Sequence, residues 1–407
     1  VNVSGNTKTR DEVIRREFRQ LEAGWFSASK IKKSKQRADR LDFFSEVNME
    51  TPPVQGTNDQ LDVNLAVKEK STGDFSIGAG VSSGEGLILT TAITERNLFG
   101  SGNFLSTQIN TSKINTVYSI SYTNPYYTNE GMSRGFDAYK RDVNSTSTAI
   151  SQYTSATLGA GVRYGVPIND DETVHYGLST EQTKLGLTTA SPQRFIDYVN
   201  TFGTLTNNMI GTVGWSRDSR DSAIHTTEGM IQNAAMELAL PISNQRYYKL
   251  TYQQQWFHPV SHLVTLMLNG ETGVGNGYGG KPLPFFKNFY AGGPGSVRGF
   301  EPMSLGPRDI NNNALGGSKR VVGNAELLFP MPGMTKEQSV RLSVFADAGA
   351  VYGQGDLPGS AGLRYSVGAA LTWISPVGPL KISFGKPLNQ KPTDKLQKFQ
   401  FTLGNIF

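Results

Sequence analysis

From Phe75 to its last residue the chain alternates between apolar and polar positions. In DFSIGAGVS, Phe75, Ile77, Ala79 and Val81 fall on one face, with Ser76, Gly78, Gly80 and Ser82 on the other. In TVYSISYTNP, Tyr118, Ile120 and Tyr122 oppose Ser119, Ser121 and Thr123. The period of two returns in GMIQNAAMELALP, VRLSVFADAGAVY, LRYSVGAALTWIS, LKISFGKPL and FQFTLGNIF. Such a period belongs to β-strands whose two faces meet different surroundings. The polar face is small and hydrophilic, and many strands end in aromatics: Tyr126, Tyr127, Tyr164, Tyr247, Tyr248, Trp256, Phe257, Trp373 and Phe407. Apolar outside, polar inside, with aromatic girdles, is the pattern of a transmembrane β-barrel. About sixteen such segments fit residues 74–407, a size that leaves a wet lumen rather than a packed interior. No helix is expected beyond Phe75, and residues 129–150 and 186–205 carry no clear strand pattern.

Residues 1–72 follow another rule. VNV reads as a short strand, and Thr9 followed by Glu12 as a capping box opening a helix, with Ile14, Phe18 and Leu21 at helical spacing. A second helix is expected over 28–42, with Ile31, Ala38 and Leu41 on one face. FSEVNME and LDVNLAVKEK then read as strands, the latter with Leu61, Val63, Leu65 and Val67 alternating. The predicted fold is therefore mostly β: a sixteen-stranded antiparallel transmembrane barrel over 73–407, preceded by one small β-α-α-β-β module over 1–72.

Composition narrows the chemistry. The 407 residues include 45 glycines, no cysteine and only 37% hydrophobic residues, as expected where one face of each strand meets lipid. Disulfides, thiolate nucleophiles and Cys-type zinc sites are excluded. The net charge of +5 owes much to KIKKSKQRADR at 30–40, which reads as a solvated helix face rather than a nucleic-acid site. No run of 18 apolar residues exists to form a membrane-spanning helix. No export signal is present, so an exported chain would be a processed or partial form of a longer one.

Candidate catalytic motifs fail on context. GNGYGGK at 275–281 begins like a phosphate-binding loop, but Pro282 stands where Ser or Thr should hold magnesium, and no helix pattern follows. His258 and His262 in HPVSH have a metal-like spacing that Pro259 places in a hairpin turn. RDSRDS at 217–222 lacks a calcium-loop pattern and reads as charges at a strand end. No enzyme, nucleotide or cofactor is expected. What remains is a long connection at about 274–319, containing GGPGSVRGFEPMSLGPRD, and loops of that length are usually functional. A wet lumen gives it room to fold back. The alternation turns Phe345 and Asp347 inward on one neighbouring strand, and Asn324 and Glu326 inward on another, making them candidate partners for Arg298.

VRGF (297–300) and FADAG (345–349) resemble the loop and lumen-wall motifs of the BamA family of outer-membrane β-barrel assembly factors. NLFGSGN (97–103), SYTNPYYT (121–128), PFFKNFYAGGPGSVRGF (284–300), SPVGPLKISFGKPL (375–388) and FQFTLGNIF (399–407) are similar to family segments in the same order. VSGNTKTRDEVIRRE is similar to the start of a POTRA domain. The resemblance implies that Arg298, in a motif with Val297, Gly299 and Phe300, docks on Asp347, with Glu326 as second acidic partner and Phe345 in the same wall. A bidentate Arg–carboxylate pair suits that role, and the pair equally fits a loop that merely stiffens a plug. The resemblance also implies a lateral seam between the first strand (Phe75, Ile77, Gly78, Gly80) and the last (Phe401, Leu403, Gly404, Phe407). Glycines there weaken pairing, or serve ordinary barrel curvature. The implied activity is folding and inserting barrel proteins by seam opening and strand augmentation, without nucleotide hydrolysis. The implied partners are unfolded outer-membrane clients, accessory lipoproteins and outer-membrane lipid, with no nucleic acid. The implied location is the bacterial outer membrane, with the N-terminal module in the periplasm. A secretion pore of the same superfamily, passing its client through the lumen, is the alternative, and a passive porin ranks behind both.

Overall fold

The computed structural model describes residues 1–57, 59–145, 152–169, 171–222, 225–333, 339–353, 362–375 and 378–404. The chain forms two compact units, Val1–Ser76 with Ala92–Gln108 and Ile120–Phe136, and Ile77–Thr91 with Ile109–Ser119 and Asp137–Phe407.

The first unit opens with β1 (Asn2–Ser4), α1 (Asp11–Arg15), α2 (Ala28–Arg40), β2 (Phe44–Glu50) and β3 (Asn64–Glu69). β3 lies at the centre of the small sheet, parallel to β1 and antiparallel to β2. The alternation of β3 buries Leu65 and Val67 against Val13 and Ile14 of α1, Ala38 of α2, and Phe43, Phe44 and Val47. Each of the larger side chains among them contributes roughly 1.5–3 kcal/mol by leaving water.

Two expectations fail here. α1 stops at Arg15, and Leu21 is exposed rather than on a helical stripe. The capping box also does not form: α1 starts after Arg10 with no side-chain cap. The Thr9 hydroxyl instead accepts from Asn97 Nδ2 at 2.8 Å, while the Thr9 amide donates to Glu69 at 2.6 Å. Tertiary partners won the competition for a group that local sequence assigned to the helix.

Glu69 ties down the turn before α1 by accepting from the amides of Thr7, Lys8 and Thr9 and from the Thr7 hydroxyl. Partial burial pushes its carboxyl up, but those hydrogen bonds outweigh burial and carry it from the ordinary 4.5 down to about 2. A depressed folded-state pKa stabilises above the unfolded value and is lost as pH falls toward the folded one. Protection of the Thr7–Thr9 and β3 amides from hydrogen exchange is therefore expected to decline between about pH 4.5 and pH 2. Glu69→Gln should flatten that decline, and an unchanged pH profile in the variant would assign it to other groups.

The remaining strands begin with β4 (Gly73–Ser82), β5 (Gly86–Leu98), β6 (Asn103–Thr111), β7 (Asn115–Asn124) and β8 (Ser133–Asn144). β9 (Tyr153–Pro167), β10 (Glu172–Leu187), β11 (Leu205–Asp218), β12 (Gly229–Ala239), β13 (Tyr247–Pro259) and β14 (Thr265–Gly277) follow. After a two-residue β15 (Gly299–Phe300) come β16 (Lys319–Pro330), β17 (Val340–Tyr352), β18 (Arg364–Ser375) and β19 (Gly378–Pro387). A two-residue β20 (Leu396–Gln397) precedes the last strand, β21 (Phe399–Leu403). Sixteen of them, all but β1–β3, β15 and β20, close an antiparallel barrel in which β21 meets β4. Closure leaves no edge for lipid to face. The inward and outward sets follow the alternation: on β17, Val344 is exposed while Phe345 and Asp347 are buried.

The expectation that helices cease after Phe75 is corrected by α3 (Gln193–Phe202), inside the stretch that showed no strand pattern. Its Phe195 and Tyr198 pack with Tyr153, Leu185, Phe285 and Leu315, and the Phe195 and Phe285 rings stack at 4.0 Å. That apolar stripe needs partners from distant segments, which single-sequence periodicity does not reveal. The long connection runs over 278–318, between the end of β14 at Gly277 and the start of β16 at Lys319.

Candidate functional site

The connection over 278–318 folds against the inner wall of the barrel. Val297 and Phe300 are fully buried, in a cluster with Ala291, Leu305, Val322 and Val351. Gly299 has φ +91°, and a Cβ there would lie 3.0 Å from the Gly385 carbonyl oxygen of β19. Any other residue would be strained twice over. This is one reason the segment is rich in glycine: the backbone itself has to touch the wall.

Between these anchors Arg298 is only 3% exposed. Its Nε donates to Asp347 Oδ2 at 2.8 Å and its Nη2 to Asp347 Oδ1 at 2.7 Å, a two-pronged contact. The Arg298 backbone amide adds a third bond to Asp347 Oδ2 at 3.0 Å. Nη1 donates to Glu326 Oε2 at 3.0 Å. The guanidinium carbon sits 3.4 Å from the centre of the Phe345 ring, within cation–π range. Barrel register makes this possible, because Asn324 faces Asp347 and Glu326 faces Phe345 across β16 and β17. The carboxylates are themselves held: Asn324 Nδ2 donates to Asp347 at 2.8 Å, and Ser343 Oγ to Glu326 at 2.5 Å. Lys381 of β19 supplies a second positive charge near Glu326. Burial disfavours the Arg298 charge, but Asp347 and Glu326 outweigh it and raise its pKa above that of a free arginine. Arg298, Asp347 and Glu326 are nearly out of water, and Lys381 stands half-buried beside them. Charge-assisted bonds of this kind are the strong ones, provided that no member is left alone.

A second cluster escaped sequence reasoning. Lys287, in the turn Phe285–Lys287, lies 3.1 Å from Glu181 of β10 and 2.9 Å from Glu237 of β12. Tyr139 donates to Glu181 and Tyr247 to Glu237, each at 2.5 Å. Burial lowers the lysine's proton affinity, but Glu237, Tyr247 and Glu181 outweigh it and raise its pKa. The loop is thus pinned to β10 and β12 by Lys287 and to β16 and β17 by Arg298. The available signal was Glu237, a charged residue in the alternating segment GMIQNAAMELALP; nothing local paired it with a lysine 50 residues on.

At the seam, β21 and β4 share two register pairs, Thr402 with Ser82 and Leu403 with Val81. Phe75, Ile77 and Gly78 are exposed on β4, outside that pairing. Gly80 and Gly404 meet closely: a Cβ on Gly80 would come within 2.6 Å of the Leu403 carbonyl, and one on Gly404 within 2.7 Å of that of Ala79. Phe401 and Leu403 are half-buried, and Phe407 lies outside the described residues.

GNGYGGK spans the end of β14 and the turn after it. In HPVSH, His258 and Pro259 end β13 and pair with Leu266 and Thr265, so the turn begins only after the proline that was expected within it, and His262 lies in that turn. RDSRDS starts at the end of β11, where Asp218 pairs with Arg220. Among the described residues no group of three or more His, Asp or Glu is arranged to hold a metal.

Comparison with known proteins fits this geometry. A family model described as "Omp85 superfamily domain" matches residues 97–407, and a POTRA model described as "Surface antigen variable number repeat" matches residues 1–70. The outer membrane protein assembly factor BamA of Neisseria meningitidis is 40% identical over all of this chain, which covers 56% of that protein. The crystal structure of BamA from Haemophilus ducreyi lacking POTRA domains 1–3 superposes with a TM-score of 0.89 at 30% identity, over 99% of this chain and 83% of the other. CdiB from Acinetobacter baumannii, at 15% identity and a TM-score of 0.64 over 99% of this chain and 73% of its own, shares the fold alone. The chain spans about half the length of the curated relatives it matches. Sixteen-stranded barrel, POTRA module and matched family models together place this chain in the BamA branch of the Omp85 superfamily, in the outer membrane with its N-terminal module in the periplasm.

Proposed function

We propose that this chain is the membrane-embedded part of a machine that folds β-barrel clients and inserts them into the outer membrane through its own seam. The carrying observation is the weakness of that seam: β21 shares five register pairs with β19 but two with β4 among the described residues. Parting it breaks few hydrogen bonds and exposes backbone donors and acceptors that an incoming strand can pair. The client's unpaired groups then never face lipid alone. Client folding supplies the drive, so no nucleotide is hydrolysed and no bond in the client is made or broken. Unfolded barrel clients and outer-membrane lipid are the proposed partners, with accessory lipoproteins acting beside the N-terminal module. In this reading the Arg298 cluster holds the loop on the wall, so that the lumen is lined rather than open.

The absence of cysteine from this chain makes the seam testable. Ser82→Cys with Thr402→Cys, directly opposite in register, can be introduced into the full-length protein. Cells depending on it are expected to stop growing when the seam oxidises and to recover with reductant. Normal growth with the seam verifiably crosslinked would mean that clients leave another way, and passage through the lumen would become the better account.

A further inference from the structure

The loop holds more than the wall. Gly299 and Phe300 pair antiparallel with Gln397 and Leu396, the residues just before the last strand. The ladder continues as the Glu301 amide donates to the Lys395 carbonyl at 2.9 Å. From the last strand itself, Gln400 turns inward, 1% exposed, and its Nε2 donates to the Phe300 carbonyl at 2.7 Å. Arg298, which grips β17, and Phe300, which is gripped by the last strand, are two residues apart. Their Cα atoms therefore stay within about 7 Å whatever the loop does. The loop cannot leave the wall without pulling on this ladder.

From this geometry we infer that Gln400 is a positioning residue that latches the last strand to the docked loop, so that loop docking and seam pairing form one coupled equilibrium. The inference deepens the seam reading and rests on it. The physical basis is unequal support. On its β19 side the last strand has five register pairs, and its leading segment has the loop ladder; toward β4 it has two pairs. With the latch closed, Thr402 is presented to Ser82 in fixed register. With the loop undocked, the leading segment loses its second partner and the last strand gains freedom to leave that register. Thermodynamic linkage makes the effect reciprocal: whatever opens the seam loosens the loop by the same factor. The Phe300 carbonyl is buried, so removing the Gln400 amide leaves an acceptor unsatisfied, which gives the contact weight beyond its length.

The test measures the oxidation rate of the Ser82→Cys/Thr402→Cys pair in the purified full-length protein, with the parent, Gln400→Ala, Arg298→Ala and the double variant as backgrounds. Each single change is expected to slow disulfide formation by roughly threefold to tenfold. The double variant should be no slower than Arg298→Ala alone, because both act on one latch. A control pair, Ala160→Cys with Thr180→Cys, opposite each other on β9 and β10, should oxidise at one rate in all four backgrounds. General loosening of the barrel would move the control pair as well and overturn the proposal. So would additive effects, or an Arg298→Ala protein whose loop becomes protease-sensitive while its seam oxidises at the parental rate. If Gln400→Ala does not fold, Gln400→Glu sets two acceptor oxygens against the Phe300 carbonyl and replaces it; if that fails too, the Arg298→Ala arm still decides. The latch and the seam reading fail separately. Rates that follow the pattern in a protein whose crosslinked cells grow would keep the latch and reject lateral insertion.

Discussion

Replacing Arg298 with alanine is expected to release the loop over 278–318 from the barrel wall. The change leaves two carboxylates, Asp347 and Glu326, each 2% exposed, with Lys381 as the remaining cation beside them. Removing one member of a buried ion cluster costs about 3–5 kcal/mol, far more than an exposed pair contributes. Much of that cost is relieved if water enters, so the loop should undock before the barrel unfolds. The measurement is protease accessibility of residues 278–318 in detergent or bilayer, alongside complementation by the full-length variant. Arg298→Lys is the sharper arm. It keeps the charge but cannot reach both Asp347 oxygens and Glu326 with a planar fork, so it should resemble alanine more than arginine. Full activity and a protected loop in the lysine variant would show that charge alone suffices.

Lys287→Met should produce the second large effect, at the other end of the same loop. Methionine fits the space but takes the ammonium away from both Glu181 and Glu237, leaving them the Tyr139 and Tyr247 hydroxyls as donors and, for Glu237, the nearby charge of Lys249, a loss of about 3–5 kcal/mol by the same reasoning. The two clusters share no residue. Their effects on protease accessibility should therefore add, unlike those of Arg298 and Gln400. Heat stability should fall less than accessibility rises, because the strand ladder does not depend on either cluster. An unchanged loop in Lys287→Met would mean that the aromatic packing of Phe285 against Phe195 and Tyr198 holds that end by itself.

The distinction between what was legible and what was not follows the range of the interactions. Alternation made β4 and β17 readable, since each residue there reports one thing, which of two surroundings it meets. The same alternation sets Asp347 and Glu326 on the face opposite the exposed Val344 and Leu327, and both are buried, because facing is a local property. The order β-α-α-β-β in the N-terminal module was equally local. By contrast, Thr9 had two possible partners, and only the folded chain brought Asn97 to it. The helix Gln193–Phe202 drew its stability from Phe285 and Leu315, far along the chain. Lys287 acquired its carboxylates, and Phe300 its last-strand partner, only once the loop had been laid across a closed barrel.

By itself, then, the sequence determined that a two-faced barrel would follow a small α+β module, and that successive residues of each strand would face opposite sides. Only the tertiary structure decided who meets whom inside. Strand periodicity encodes burial one residue at a time, whereas the contacts of Arg298, Lys287 and Gln400 depend on register, on closure and on where a 41-residue connection, 278–318, comes to rest.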